Sequence, residues 1–120
     1  MIIIEEFMQL IADKISLEEL KKMSEKMHKN IVKAVVDLEK GVMVVDADMH
    51  VDEEVLLLEE ESRQEDLWGI NIHPYNSRDE WIEFDSMINL RPSFGNRTRG
   101  VDDPVIQEKI KKLVNKLVAT

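Results

Sequence analysis

The chain contains no cysteine. That excludes a disulfide framework, thiolate zinc sites, CxxC redox chemistry and a cysteine nucleophile. No apolar run exceeds four residues, far short of the eighteen or so that a membrane helix requires. No secretory apolar region follows Met1, so a soluble, cytoplasmic protein without a membrane partner is expected. Repeats, low-complexity tracts and linkers are also missing. The 120 residues therefore read as one domain over 1–120 with one core. A fold of this size buries roughly two thirds of the surface its unfolded chain exposes, so it needs no covalent or metal staple.

What the chain does have is acid, and it is concentrated. The formal net charge is -9, with 25 acidic and 16 basic side chains. Residues 1–40 and 109–120 balance to near neutrality or are basic. Within 46–66, Asp46, Asp48, Asp52, Glu53, Glu54, Glu59, Glu60, Glu61, Glu65 and Asp66 face Arg63 alone. An acidic surface repels phosphate backbones, which disfavours nucleic acid as a partner and favours cations or basic partners. The opposite sign is concentrated too: 86–101 carries no acid and holds Arg91, Arg97 and Arg99.

Local patterns suggest an α+β chain. Residues 1–4 are β-branched and suit a strand, and Phe7, Leu10, Ile11 and Ile15 are spaced for a short helix over 5–14. Ser16 and Glu19 form a capping box ahead of a helix over 17–29, with His28 near its end as a capping or surface residue. Alternation predicts strands over 31–39 and 42–51, joined at Lys40 and Gly41 as a hairpin. Segment 53–62 fits helix and strand equally. Strands are predicted over 67–72 and 81–90. Asp103 and Pro104 announce a final helix with Ile106, Ile110, Leu113, Val114 and Leu117 on one side. The expected architecture is an antiparallel or mixed sheet of four to five strands with two or three helices on one face.

The phrases KAVVDLEKG (33–41), HVDEEVLLLEEES (50–62), DLWGINIHP (66–74), WIEFDSMINLRP (81–92) and GNRTRGVDDPVI (95–106) together resemble a small archaeal and bacterial family catalogued as a domain of unknown function. The resemblance spans roughly 31–118. Against that family, residues 5–15 look like an addition, and a glycine is expected near 60–61 where this chain has Glu60 and Glu61. The resemblance implies a fold group and brings no activity with it.

Three constellations could carry chemistry. In an extended strand, Asp46, Asp48, His50 and Asp52 would share one face at roughly 6.5–7 Å spacing, a ladder suited to a divalent cation such as Ca²⁺, Mg²⁺ or Mn²⁺. His50 would extend the choice to Mn, Fe or Zn. Such a row of like charges otherwise reads as a solvated face. The loop with Arg91, Asn96, Arg97 and Arg99 offers guanidinium forks and amide donors to an anion; paired with the protein's own acids, it would be structural instead. A polar row, Asn71, His73, Glu83, Asp85 and Asn89, lies in the central strands, with Trp68 and Trp81 as flanking walls. No catalytic residue is assigned.

Two function classes follow. The first is a small ligand-binding or self-assembling module, with a homo-oligomer formed between the acidic window of one copy and the arginine loop of another. The alternative is a divalent-metal-dependent hydrolase acting on a phosphate-bearing substrate. The position of the ladder relative to the arginine loop separates them: one shared cleft favours the enzyme.

Overall fold

The computed structural model describes residues 8–26 and 30–119. The strands are β1 (Gln9–Ile11), β2 (Ile15–Ser16), β3 (Val32–Asp37), β4 (Val42–Val45), β5 (Leu67–Ile72), β6 (Ile82–Glu83) and β7 (Val118–Ala119). The helices are α1 (Leu17–Ser24), α2 (His50–Glu59) and α3 (Pro104–Leu117). Five strands form one antiparallel sheet in the order β1-β4-β3-β5-β6, and β2 pairs with β7 in a small parallel sheet. The class is α+β, as the patterning predicts.

The hairpin forms where alternation and the Gly41 turn place it. Asp37 pairs with Val42, Gly41 takes φ +69, and Asp37 Oδ1 accepts from the amides of Glu39 and Lys40. The capping box also holds: Ser16 Oγ accepts from the Glu19 amide at 3.1 Å. At α3, Asp103 Oδ1 accepts from the Val105 amide at 2.9 Å, with Pro104 in the first turn. Each satisfies amides that a helix end leaves without partners.

Alternation along β3 builds two different faces. Val32, Ala34 and Val36 meet Met43, Val45, Trp68, Ile70 and Ile72, and together they receive Leu20 and Met23 of α1 and Ile110, Val114 and Leu117 of α3. The main core thus lies on the face that α1 and α3 cover. On the other face Val35, Val44 and Leu67 form a small second cluster under Leu57 of α2. Beyond it the sheet surface turns polar, because the register sets Lys33 opposite Asn71 and Asn71 opposite Glu83.

Three expectations change and one open segment is resolved. The strand over 1–4 falls outside the described residues, and so does His28. In place of the helix over 5–14, residues 9–11 form the edge strand β1, since Leu10 pairs with Val44 and Ile11 with Met43. The predicted strand 42–51 stops at Val45, where Asp46 adopts a left-handed φ of +77 and ends the alternation. From His50 the chain is helical, which resolves 53–62 as helix to Glu59. Asp52 and Glu53 lie in the first turn, at the positive end of the dipole. The strand over 81–90 shrinks to Ile82–Glu83; Ser86 then caps the 3-10 turn Met87–Asn89 by accepting from the Ile88 amide.

Helix α2 is turned against its composition. Its buried residues are His50, Glu53, Glu54 and Leu57, while Val51, Val55 and Leu58 are exposed.

Candidate functional site

A cleft of about 410 Å³ opens on the polar part of the α2 face. Its floor is the cross-strand row Lys33, Asn71 and Glu83 on β3, β5 and β6. One wall is the start of α2, with Met49, His50 and Val51. The other is residues 85–88, with Arg99 beside them. The volume falls in the range of small-molecule sites.

Each polar group on the floor has an identifiable position. Asn71 Nδ2 donates to Glu83 Oε1 at 3.0 Å and reaches the Asp85 carbonyl at 3.4 Å. His73 Nε2 lies 3.3 Å from the same Glu83 oxygen. Arg99 Nε donates to Asp85 Oδ1 at 2.8 Å. The Lys33 ammonium makes no hydrogen bond or ion pair among the described residues. His50 Nε2 sits 2.7 Å from the Ile70 carbonyl oxygen. Burial lowers the His50 pKa, an effect the Ile70 hydrogen bond offsets only in part. The neutral ring therefore donates from Nε2 and keeps a lone pair on Nδ1.

Helix α2 begins without a side-chain cap, since Met49 offers none. The loop leading into it hangs on Glu53, whose Oε2 accepts from the Ala47 amide at 3.0 Å. Burial raises the Glu53 pKa well above the ordinary range. Among the described residues, four buried side-chain atoms lack a partner: Glu53 Oε1, Asn71 Oδ1, Trp81 Nε1 and Arg91 Nε. The tryptophan and the arginine each take part in a cation–π contact, Trp81 under Arg78 and Arg91 over Trp68. Asn71 is the one of the four that lines the cleft, and it is 7% exposed.

The sequence-predicted residues divide accordingly. Asp46, Asp48, His50 and Asp52 do not form a ladder, because two lie in the irregular segment between β4 and α2 and two in the helix. Asp46 pairs with Lys26 at 2.7 Å, and burial raises its pKa despite that pairing. His50 alone of the four lines the cleft. Among the described residues no group of three or more His, Asp or Glu side chains is placed to hold a metal ion.

In the arginine loop, Arg91 donates to the carbonyls of Gln64 and Leu67 while stacking on Trp68. Asn96 donates to the carbonyls of Asn89, Thr98 and Gly100 and accepts from the Asp102 amide. Both side chains are buried; Arg91 ties the loop to the backbone of residues 64–67, and Asn96 holds the backbone of the loop itself. Arg99 reaches the cleft; the Arg97 side chain makes no hydrogen bond or ion pair among the described residues. A second groove of about 540 Å³, lined by Trp68, Arg91 and Phe94, is larger, but the guanidinium nitrogens Nη1 and Nη2 in it are already engaged.

The polar row contributes Asn71, His73, Glu83 and Asp85 to the cleft. Asn89 instead clamps β5, donating to the Gly69 carbonyl and accepting from its amide where β6 has ended. Gly69 is needed there, because a Cβ would meet Ser86 Cβ and Oγ at 2.6 Å. Trp68 and Trp81 belong to the core on the opposite face. Lys33, Met49 and Val51 were missed as cleft residues. Lys33 was legible as the one cation on the β3 face that it shares with Val35 and Asp37.

Residues 9–117 match the family described as "Protein of unknown function (DUF5674)", and the chain belongs to that family. The match begins at β1, so residues 9–15 are part of the shared domain and no addition to it. Glu61 has φ +70, the conformation that glycine would adopt at the turn after α2. No curated protein and no solved structure matches the chain.

Proposed function

We propose that this protein is a small-ligand-binding module and that the cleft over Lys33, Asn71 and Glu83 is its site. The observation carrying this reading is that cross-strand row. A sheet face that α2 covers with Leu57 over Val35 and Val44 changes, within two residues, to a cation, an amide and a carboxylate under an opening. Aromatic or aliphatic residues there would have extended the second core. Self-assembly through the acidic window and the arginine loop has less support, because Arg91 and Arg99 already engage groups of their own chain.

The hydrolase reading keeps one favourable observation: His50 from the acidic window and Arg99 from the arginine loop line the same cleft, beside Glu83 and Asp85. A thermal-shift panel of Ca²⁺, Mg²⁺, Mn²⁺ and Zn²⁺ addresses it, with stabilisation by one ion that His50→Ala abolishes as the supporting result. For the binding module, amide chemical-shift mapping against a small-fragment collection is the test. Shifts confined to residues 31–33, 49–51, 71–73, 83–88 and 99 are expected. Saturable shifts centred on α3 or on Arg91 and Phe94 would count against the cleft.

A further inference from the structure

We infer that the cleft takes a small oxyanion bearing its own O–H donor, the chemistry shared by hydrogen phosphate and hydroxy acids; this rests on the cleft being the binding site. Two independent features meet there. The first is a group of free N–H donors on two cations, Lys33 and Arg99, whose charges Glu83 and Asp85 balance within the lining. Lys33 makes no hydrogen bond or ion pair among the described residues, and α2, whose first turn also holds Asp52 and Glu53, starts without a side-chain cap at the wall formed by His50 and Val51. Among the described residues Arg99 is held by Asp85 through Nε alone, which leaves the rest of its fork for an oxyanion. The cleft's two carboxylates are already engaged, Asp85 by Arg99 and Glu83 by Asn71 and His73.

The second feature is an acceptor without a donor. Asn71 Nδ2 faces two acceptors, the Glu83 carboxylate and the Asp85 carbonyl, so the amide cannot be turned over without setting oxygen against oxygen. Its orientation is therefore fixed, and Oδ1 occupies the other branch of the fork, buried and unpartnered. A fully ionised anion such as sulfate or acetate satisfies the cations and leaves Oδ1 as it was. Phosphate near neutral pH retains a proton, and glycolate carries a hydroxyl. Either can be held by the cations and donate to Oδ1, and a site built around a ligand's donor discriminates against the analogue lacking it.

The test is a titration of ¹⁵N-labelled full-length protein with phosphate, sulfate, glycolate and acetate at matched ionic strength, following the His50 and Val51 amides and the Asn71 side chain. Phosphate and glycolate are expected to bind at least roughly tenfold more tightly than sulfate and acetate respectively. Lys33→Gln weakens all four, and Asn71→Leu removes the difference within each pair. Equal affinity for phosphate and sulfate, and for glycolate and acetate, would overturn the inference. That comparison needs only the unaltered chain, so it decides even if Asn71→Leu fails to fold. Phosphate discrimination without glycolate discrimination assigns the donor to a phosphoryl group, and the reverse assigns it to a hydroxy acid. If cationic or neutral fragments shift the cleft amides and none of the anions does, this inference falls while the binding module stands. If nothing shifts them, both fall.

Discussion

Asn96 in the arginine loop and Asn89 in the turn before it have an exposure similar to that of Asn71 on the floor of the cleft, and opposite bookkeeping. Asn89 and Asn96 use both ends of their amides on backbone: Asn89 on Gly69 and the Arg99 carbonyl, Asn96 on three carbonyls and the Asp102 amide. Asn71 uses its nitrogen and leaves its oxygen without a donor among the described residues. A buried polar group with every partner in its own chain is architecture. One that the fold holds in place and leaves incomplete is the natural place for something else to bind. Arg91 is structural on another ground, since Nη1 and Nη2 both donate to backbone carbonyls and the guanidinium stacks on Trp68 although Nε lacks a partner among the described residues, and Arg99, half exposed and tied through one nitrogen, belongs to the cleft.

The contrast can be broken by substitution. The largest effect is expected for Asn96→Ala, which strips four backbone groups of their partner. At about 1–3 kcal/mol per buried unpaired group, a loss on the order of 4 kcal/mol should appear in urea denaturation. The arginines sharpen it next. Arg91→Ala removes donors from the Gln64 and Leu67 carbonyls and the stack on Trp68, a loss of about 3 kcal/mol, whereas Arg99→Ala costs no more than about 1 kcal/mol as a surface pair. Similar losses at the two positions would erase the distinction between loop and cleft.

A smaller effect concerns pH and the loop that supplies Met49. Glu53 holds its proton well above 4.5, so the folded chain binds a proton that the unfolded chain releases. Its contribution is complete below 4.5 and is lost as pH rises through the folded value. His50 runs the other way: its pKa is lowered from 6.5, so its contribution is complete above 6.5 and is lost as pH falls through the folded value. Glu53→Gln should therefore gain stability relative to the parent as pH rises above 4.5, with the gain seen in urea midpoints across a pH series. A gain independent of pH would mean that Glu53 is ionised in the fold.

The hairpin, both helix caps, β5 and α3 were legible because each rests on a local rule: period-two alternation, Ser16 with Glu19, and Asp103 before Pro104. Segment 46–59 was not. Asp46 enters the left-handed region without being glycine, and the strand alternation of 42–51 continues past the point where the backbone has left the strand. Helix α2 also buries His50, Glu53 and Glu54 and exposes Val51, Val55 and Leu58, so no apolar stripe announces its inner face. The cleft was half legible. Asn71, His73, Glu83 and Asp85 stood out as a polar row, but their meeting with Lys33 and His50 depends on the β3–β5 register and on where α2 begins. Neither is written in local spacing.

The central claim is that Asn71 is held for a ligand and Asn89 for the fold. One measurement compares them with the same change: urea unfolding of Asn71→Leu and Asn89→Leu. Asn89→Leu leaves the Gly69 amide and carbonyl unpaired and should cost at least about 2 kcal/mol, while Asn71→Leu, which also removes an unpartnered acceptor, should stay within about 1 kcal/mol of the parent. Equal and large losses at both positions would make Asn71 another strut of the sheet and contradict the account.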